Sequence, residues 1–288
     1  MRFATLHTPQ GPRAVVRQGD HYVDINATDS SLPNSVREWI AGGKTLLAKL
    51  DEVSKRAGAK TYPVKGTSYL APILDPQKIV CIGLNYSDHA KEQNLQPPRE
   101  PVVFSKFVTT LTGHGQPIEL PSVSTKVDFE AELVVVVGQA GRMISEANGM
   151  AHLAGYMVGH DVSARDWQKE KDGKQWLCGK TFDTFAPTGP EFITADEVSD
   201  PHQLPIRLRL NGEVMQNSST NQLIFSIPKL VAYISQVFTL APGDLIFTGT
   251  PPGVGDARKP PVYMKPGDVV EVEIEGLGLL RNPVVQGR

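Results

Sequence analysis

Cysteine is scarce. Cys81 and Cys178 are the only two in 288 residues, too few for a disulfide framework or for the paired C-x-x-C arms of a zinc ribbon. Both lie in apolar surroundings and are expected to be core thiols. A reducing compartment follows: the cytoplasm, or the mitochondrial matrix in a eukaryote. No run of about 18 apolar residues occurs, so no membrane-spanning helix is expected. The opening Met1–Thr5 carries no secretory pattern. Neither sign of charge dominates: 29 Lys and Arg face 31 Asp and Glu, a net charge of -2. A dedicated nucleic-acid binder, which needs a basic surface to displace phosphate counterions, is thereby disfavoured.

Familiar motifs are missing as well. Gly179-Lys180-Thr181 ends like a phosphate loop, but Lys174 stands where that loop needs glycine, and Gly173 comes one place early. Gly276-Leu277-Gly278 is followed by Arg281 instead of a third glycine, with no helix to come. There is no G-x-S-x-G turn, no H-E-x-x-H helix, no tandem repeat and no low-complexity tract.

What remains is an ordinary globular composition, 40% hydrophobic, with enough apolar material for a sizeable core. Residues 1–60 read as a small N-terminal α+β unit, with strands at Phe3–Leu6 and Ala14–Arg17. A helical pattern begins at Ser35 and is broken at Gly42-Gly43. Residues 61–76 read as an extended connector. Residues 77–288 form the main domain, in which Val80–Ile82, Leu133–Val137, Tyr156–Gly159, Ile206–Leu210, Leu245–Thr248 and Val269–Ile274 are strand-like. Pro242-Gly243 and Pro266-Gly267 suit type II turns, and Asn211-Gly212 suits a hairpin. A helix is expected over Ile227–Val237. Strands outnumber helices without alternating with them, which favours a β-rich α+β fold over a doubly wound sheet.

The strongest chemistry lies in Asp128-Phe129-Glu130-Ala131-Glu132, which runs into Leu133 and four valines. Alternate strand residues share a face, so Glu130 and Glu132 point the same way. Two like charges at the mouth of a buried strand call for positive compensation. An all-oxygen set suits a hard cation such as Mg²⁺, Mn²⁺ or Ca²⁺. By themselves the two glutamates fit an exposed edge equally well. Asp161, ending the apolar run Gly155–His160, offers a third carboxylate, though a lone Asp there is more often a turn residue.

A second constellation is Asn85-Tyr86-Ser87-Asp88-His89-Ala90-Lys91-Glu92. Asn85 or Ser87 can cap a short helix on which His89 and Glu92 share a face. A carboxylate on one imidazole nitrogen would raise the basicity of the other; a casual surface pair is the plainer reading. Lys180 could neutralise an enolate or carboxylate, but taken singly it reads as a snorkelling surface lysine. The loop Thr248–Gly255 has amides that could cradle a carboxylate, although most such loops are merely turns.

Six ordered segments carry a resemblance. They are Gly83–His89, Phe104-Ser105-Lys106, Asp128–Glu132, Gly159–Asp166, Gly179–Asp183 and Thr248-Gly249-Thr250-Pro251. Together they resemble the fumarylacetoacetate hydrolase family from about residue 79 onward. Arg165–Gln168 and Gly173–Leu177 are most similar to its domain-containing protein 2 subgroup. The resemblance implies a mixed β-sandwich roll as catalytic core and a homodimer. It implies Mg²⁺ or Mn²⁺ held by Glu130, Glu132 and Asp161, with Ca²⁺ as an occupant in crystals. It assigns water activation to His89 and Glu92, and support of substrate and enolate to Lys180 and Gln168. Thr250 contacts substrate, and Arg165 lies near the site. Phe107 departs from the family, where proline commonly follows the lysine.

The expected activity is enolate chemistry on a small 2-oxo acid, foremost C–C hydrolysis of an acylpyruvate. The alternatives are oxaloacetate enol–keto tautomerisation, decarboxylation of a 2-oxo acid, or a non-catalytic binding protein on the same scaffold. Neither nucleic acid nor membrane is expected as a partner.

Overall fold

The computed structural model describes residues 1–92 and 96–287, apart from the side chains of 89–91. Its organising element is the strand Ala131–Val137, buried along its whole length. Leu133, Val135 and Val137 enter one core, whereas Val134 and Val136 enter another. A strand covered on both faces reads as an unbroken apolar run, which is why four valines stand together here.

Eleven strands form the main sheet among the described residues. In order they are Thr61–Pro63, His21–Asp24, Gly11–Gln18, Arg2–Thr8, Phe192–Thr194, Leu153–His160, Ala131–Val137, Leu245–Phe247, Ile79–Gly83 and Val102–Lys106, with Tyr69–Leu70 beside Arg2–Thr8. Leu245–Phe247 runs parallel to Ile79–Gly83, so the sheet is mixed. A second sheet of five strands runs Glu213–Ser219, Pro205–Leu210, Val269–Ile274, Gly278–Gln286 and Ile118–Leu120. Its Ile206, Leu208, Val272 and Leu280 meet Leu133 and Val135 in the first core, together with Leu230 and Ile234 of the helix Ile227–Val237. This is a β-rich α+β sandwich.

The opposite face of the main sheet is closed by the N-terminal helices Val36–Ala41 and Gly43–Ser54, which deliver Trp39, Ile40 and Leu50 to the second core. Ser35 caps the first of them by accepting the Glu38 N–H at 3.3 Å. Gly42 lies between the two, and the second opens on Gly43 at φ +61°. The N-terminal strands continue the main sheet through the pairing of Phe3 with Phe192. The stretch 61–76 is more than an extended connector, because Thr61–Pro63 and Tyr69–Leu70 both pair into that sheet.

The turn chemistry behaves as the residues dictate. Gly243 and Gly267 have φ of +85° and +95°, and Asp244 and Asp268 donate back to Ala241 and Lys265. Asn211 and Gly212 are both left-handed, at φ 54° and 83°, between paired Leu210 and Glu213. One expectation fails. Cys81 is buried, but Cys178 is exposed, because the short helix Trp176–Lys180 turns Gly179 and Lys180 inward instead. No helix is long and apolar enough to cross a membrane among the described residues.

Candidate metal centre

The strands Ala131–Val137 and Leu153–His160 are antiparallel, with Ala131 opposite His160 and Glu132 opposite Gly159. The Asp161 N–H continues that register by donating to the Glu130 carbonyl at 2.9 Å. Glu130 and Asp161 are therefore cross-strand neighbours, and Glu132 lies two residues along on the same face. Gly159, opposite Glu132, leaves room for Val134 and Phe247; a Cβ there would stand 2.3 Å from Val134 Cγ2. Carboxylate oxygens of Glu130, Glu132 and Asp161 come within 4.8 Å of one another, and all three residues are buried.

Three cations surround them. Lys180 Nζ lies 2.8 Å from both Glu130 Oε2 and Asp161 Oδ2. It is fully buried, so the surface-lysine reading does not hold. Its helix comes so close because Gly179 packs on the Gln168 backbone, where a Cβ would stand 2.6 Å from the Gln168 nitrogen. Arg165 donates through Nη2 to Glu130 at 2.6 Å, through Nε to Asp128 at 2.8 Å and through Nη1 to Gln168 at 2.9 Å. Asp128 in turn accepts from the Gly255 and Asp256 N–H groups, which ties the Thr248–Gly255 loop to the cluster. Lys106 Nζ stands 2.7 Å from Asp161 Oδ1, yet it donates to the carbonyls of Val162, Lys180 and Phe185. Asp161 Oδ1 is thus neutralised by charge but receives no hydrogen bond.

The charge balance is uneven. Burial pushes Glu130 up, but Lys180 and Arg165 outweigh it and hold the carboxyl below the usual range. Glu132 is pushed well above that range by burial and by Asp161 and Glu130, and the Gly249 N–H at 2.8 Å does not compensate. Burial lowers Lys106 against the pull of Asp161. Among the described residues, then, three hard oxygen donors converge, and one of the carboxyls is under-compensated. That donor set fits a divalent cation.

Beside the cluster lies a cavity of about 230 Å³, lined by Gly83, Phe104, Glu130, Arg165, Gln168, Trp176, Lys180 and Thr250 among others. Gln216, which the sequence reading overlooked, positions Thr250. Its Nε2 donates to Thr250 Oγ1 at 2.8 Å and its Oε1 accepts the Ala131 N–H at 2.8 Å. Asp128 and Lys106 stand within recognisable motifs, but their contacts depend on partners far off in sequence. Asn85 does not face a helix end. It braces two segments, with Nδ2 donating to the Thr248 carbonyl and Oδ1 accepting from Phe225. Glu92 accepts from the Gly253 N–H at 3.0 Å, on the same loop as Thr250. The side chain of His89 lies outside the described residues, so its expected partnership with Glu92 has no geometry here.

The family profile for the fumarylacetoacetate (FAA) hydrolase C-terminal region matches residues 78–285. The chain belongs to the fumarylacetoacetate hydrolase family. A mitochondrial oxaloacetate tautomerase of Xenopus laevis is 50% identical, over 99% of this chain and 90% of that one. Its Homo sapiens counterpart, also a mitochondrial oxaloacetate tautomerase, is 48% identical over 99% and 92%. Among solved structures, a putative HpcE protein from Mycobacterium smegmatis superposes with a TM-score of 0.89 at 36% identity, each chain covered in full. A maleylpyruvate hydrolase from Sphingobium sp., in complex with manganese (II) ion and pyruvate, does so with a TM-score of 0.83 at 30% identity, again over both whole chains. The protein is a family enzyme whose acidic triad could hold a divalent metal.

Proposed function

We propose that this fumarylacetoacetate hydrolase-family enzyme is a divalent-metal-dependent oxaloacetate tautomerase, interconverting the enol and keto forms. The observation that carries the reading is the buried triad Glu130, Glu132 and Asp161 beside Lys180, in a chain half identical over nearly its whole length to oxaloacetate tautomerases. That likeness favours tautomerisation over the acylpyruvate hydrolysis that motifs alone put first.

In the proposed reaction the enol oxygen on C2 loses its proton and C3 gains one; no carbon–carbon bond breaks. A divalent ion bound by the triad would supply Lewis acidity to the 2-oxo acid. Lys180, itself buried, holds a fixed positive charge where negative charge develops. Arg165 keeps Glu130 ionised and holds Gln168 in place. Thr250, whose hydroxyl accepts from Gln216, lines the cavity. His89 and Glu92 are proposed as the water-activating pair only for a hydrolytic reaction.

The test is the decay of enol-oxaloacetate absorbance with Mg²⁺- or Mn²⁺-loaded protein, beside product analysis for a panel of acylpyruvates. Accelerated enol decay, lost on chelation and surviving His89→Ala, is the expected result. Decay at the buffer rate, or cleavage products from acylpyruvates that vanish in His89→Ala, would return the reading to hydrolysis.

A further inference from the structure

The wall of the 230 Å³ cavity facing the acidic cluster is aromatic. Phe104 and Trp176 stack edge to face, with ring centroids 5.5 Å apart and an interplanar angle of 68°. Phe104 also lies against the cluster itself, with Lys180 Nζ 5.1 Å from its ring centroid. Lysine, phenyl ring and indole are therefore linked in one chain of contacts that starts at the carboxylates. Lys180 is buried, whereas Phe104 and Trp176 are both only partly buried.

Gly83 explains how the indole gets there. A Cβ at this position would stand 2.6 Å from Trp176 Cζ3 and 3.1 Å from Cη2. Gly83 is not among the glycines with positive φ, so its backbone needs no glycine. What needs glycine is the space occupied by the indole. Trp176 also opens the five-residue helix that Lys180 closes, so wall and lysine are held by one rigid piece. The resulting volume falls below the roughly 300–1,000 Å³ of pockets that take drug-sized ligands.

We infer that Trp176 is a specificity-determining residue that limits the chain length of the acid this pocket accepts. The inference rests on the reading of the pocket as a 2-oxo acid site. A short 2-oxo acid has its functional groups within the space between the triad and Phe104. A longer 2-oxo or 2,4-dioxo acid would carry its tail into the indole. Lost van der Waals fit of this kind discriminates by roughly 10–200-fold per methylene-sized mismatch.

The test uses the metal-loaded full chain and straight-chain 2-oxo acids of increasing length, with oxalate as the short reference. Binding is read by calorimetry and by competition against enol-oxaloacetate turnover. In the native protein, affinity relative to oxalate should fall with length. In Trp176→Ala the ratio of long-acid to oxalate affinity should rise by at least about tenfold. Trp176→Leu, which keeps an apolar contact for Phe104, should move the same ratio in the same direction and covers the case in which the alanine variant does not fold. An unchanged ratio in both variants overturns the inference, as does a native protein that binds long and short acids alike. Failure of the tautomerase reading would show differently: enol decay would stay at the buffer rate while the length dependence of binding, and its loss in the variants, persisted.

Discussion

Replacing Glu132 by glutamine should make the metal-free protein more stable while removing its response to metal. Glu132 is buried, takes one hydrogen bond from Gly249, and faces two carboxylates within 4.8 Å. At an effective dielectric of about 20, each such repulsion is worth roughly 3–4 kcal/mol. Lys180 offsets about one of the two, leaving about 3 kcal/mol unopposed, with burial adding to it. Protonation caps the penalty: carrying a proton at pH 7 on a group whose ordinary value is 4.5 costs about 1.4 kcal/mol per unit, again about 3 kcal/mol. The sign follows from linkage. The folded-state value is raised, so the penalty is absent below pH 4.5 and grows as pH climbs toward that raised value. Glutamine keeps the bond to Gly249 and removes the charge. In EDTA at pH 7, Glu132→Gln should melt higher by up to roughly 6–12 °C, at about 2–4 °C per kcal/mol, and the gain should shrink toward pH 4.5. Saturating Mg²⁺ should reverse the order. The native protein would gain about 4.1 kcal/mol at a thousandfold excess over Kd, more than the deficit, whereas the variant would gain little and lose its activity. Thermal denaturation with and without metal decides the matter. A variant less stable than the native protein in EDTA, or equally stabilised by Mg²⁺, would refute the reasoning.

Two further perturbations probe the supports of the site. Lys106→Met removes the cation 2.7 Å from Asp161 and strands three carbonyl acceptors, so urea unfolding should show a loss of about 3–5 kcal/mol. Gln216→Ala leaves the Ala131 N–H without its acceptor and frees Thr250; a loss of about 1–3 kcal/mol with a raised KM is expected, read from urea unfolding and steady-state kinetics.

How much of this was legible beforehand differs by residue. Glu130 and Glu132 could be paired from strand alternation alone, because the valine run beyond them announced a buried strand. Asp161 could be suspected from its place at the end of an apolar run, but not its position opposite Glu130. That depends on the register between two strands, which no local signal encodes. Lys180 could be named as a candidate from its motif, but its burial was illegible for a related reason: a lysine in a five-residue helix looks solvent-exposed until Gly179 is seen to let that helix collapse onto Gln168. Lys106 stands in a recognisable motif, yet its acceptors come from residues 56 to 79 positions away. Cys178 misled in the opposite sense, since apolar neighbours in sequence do not fix which side of a one-turn helix faces in. The pairing of Phe3 with Phe192 shows the same limit at the scale of the fold. Turns, by contrast, were readable residue by residue, because Pro-Gly and Asn-Gly constrain their own dihedral angles.

The composition of the site follows from counting formal charges. Four buried acids, Asp128, Glu130, Glu132 and Asp161, face three buried bases, Lys106, Arg165 and Lys180. Arg165 is shared by Asp128 and Glu130, Lys180 by Glu130 and Asp161, and Lys106 serves Asp161. Every acid but one has a cation in contact. Glu132 is the remainder, and it is the one that burial and its neighbours drive toward the neutral form. With Glu132 ionised, four acids less three bases sum to one negative charge, which would repel a dianionic acid such as oxaloacetate. A divalent cation reverses that sum to one positive charge. It also provides the counter-charge that Glu132 lacks. The unpaired glutamate therefore supports the proposed reading of a site that takes a divalent cation. A protein that needed these residues for stability alone would do better with Gln at position 132.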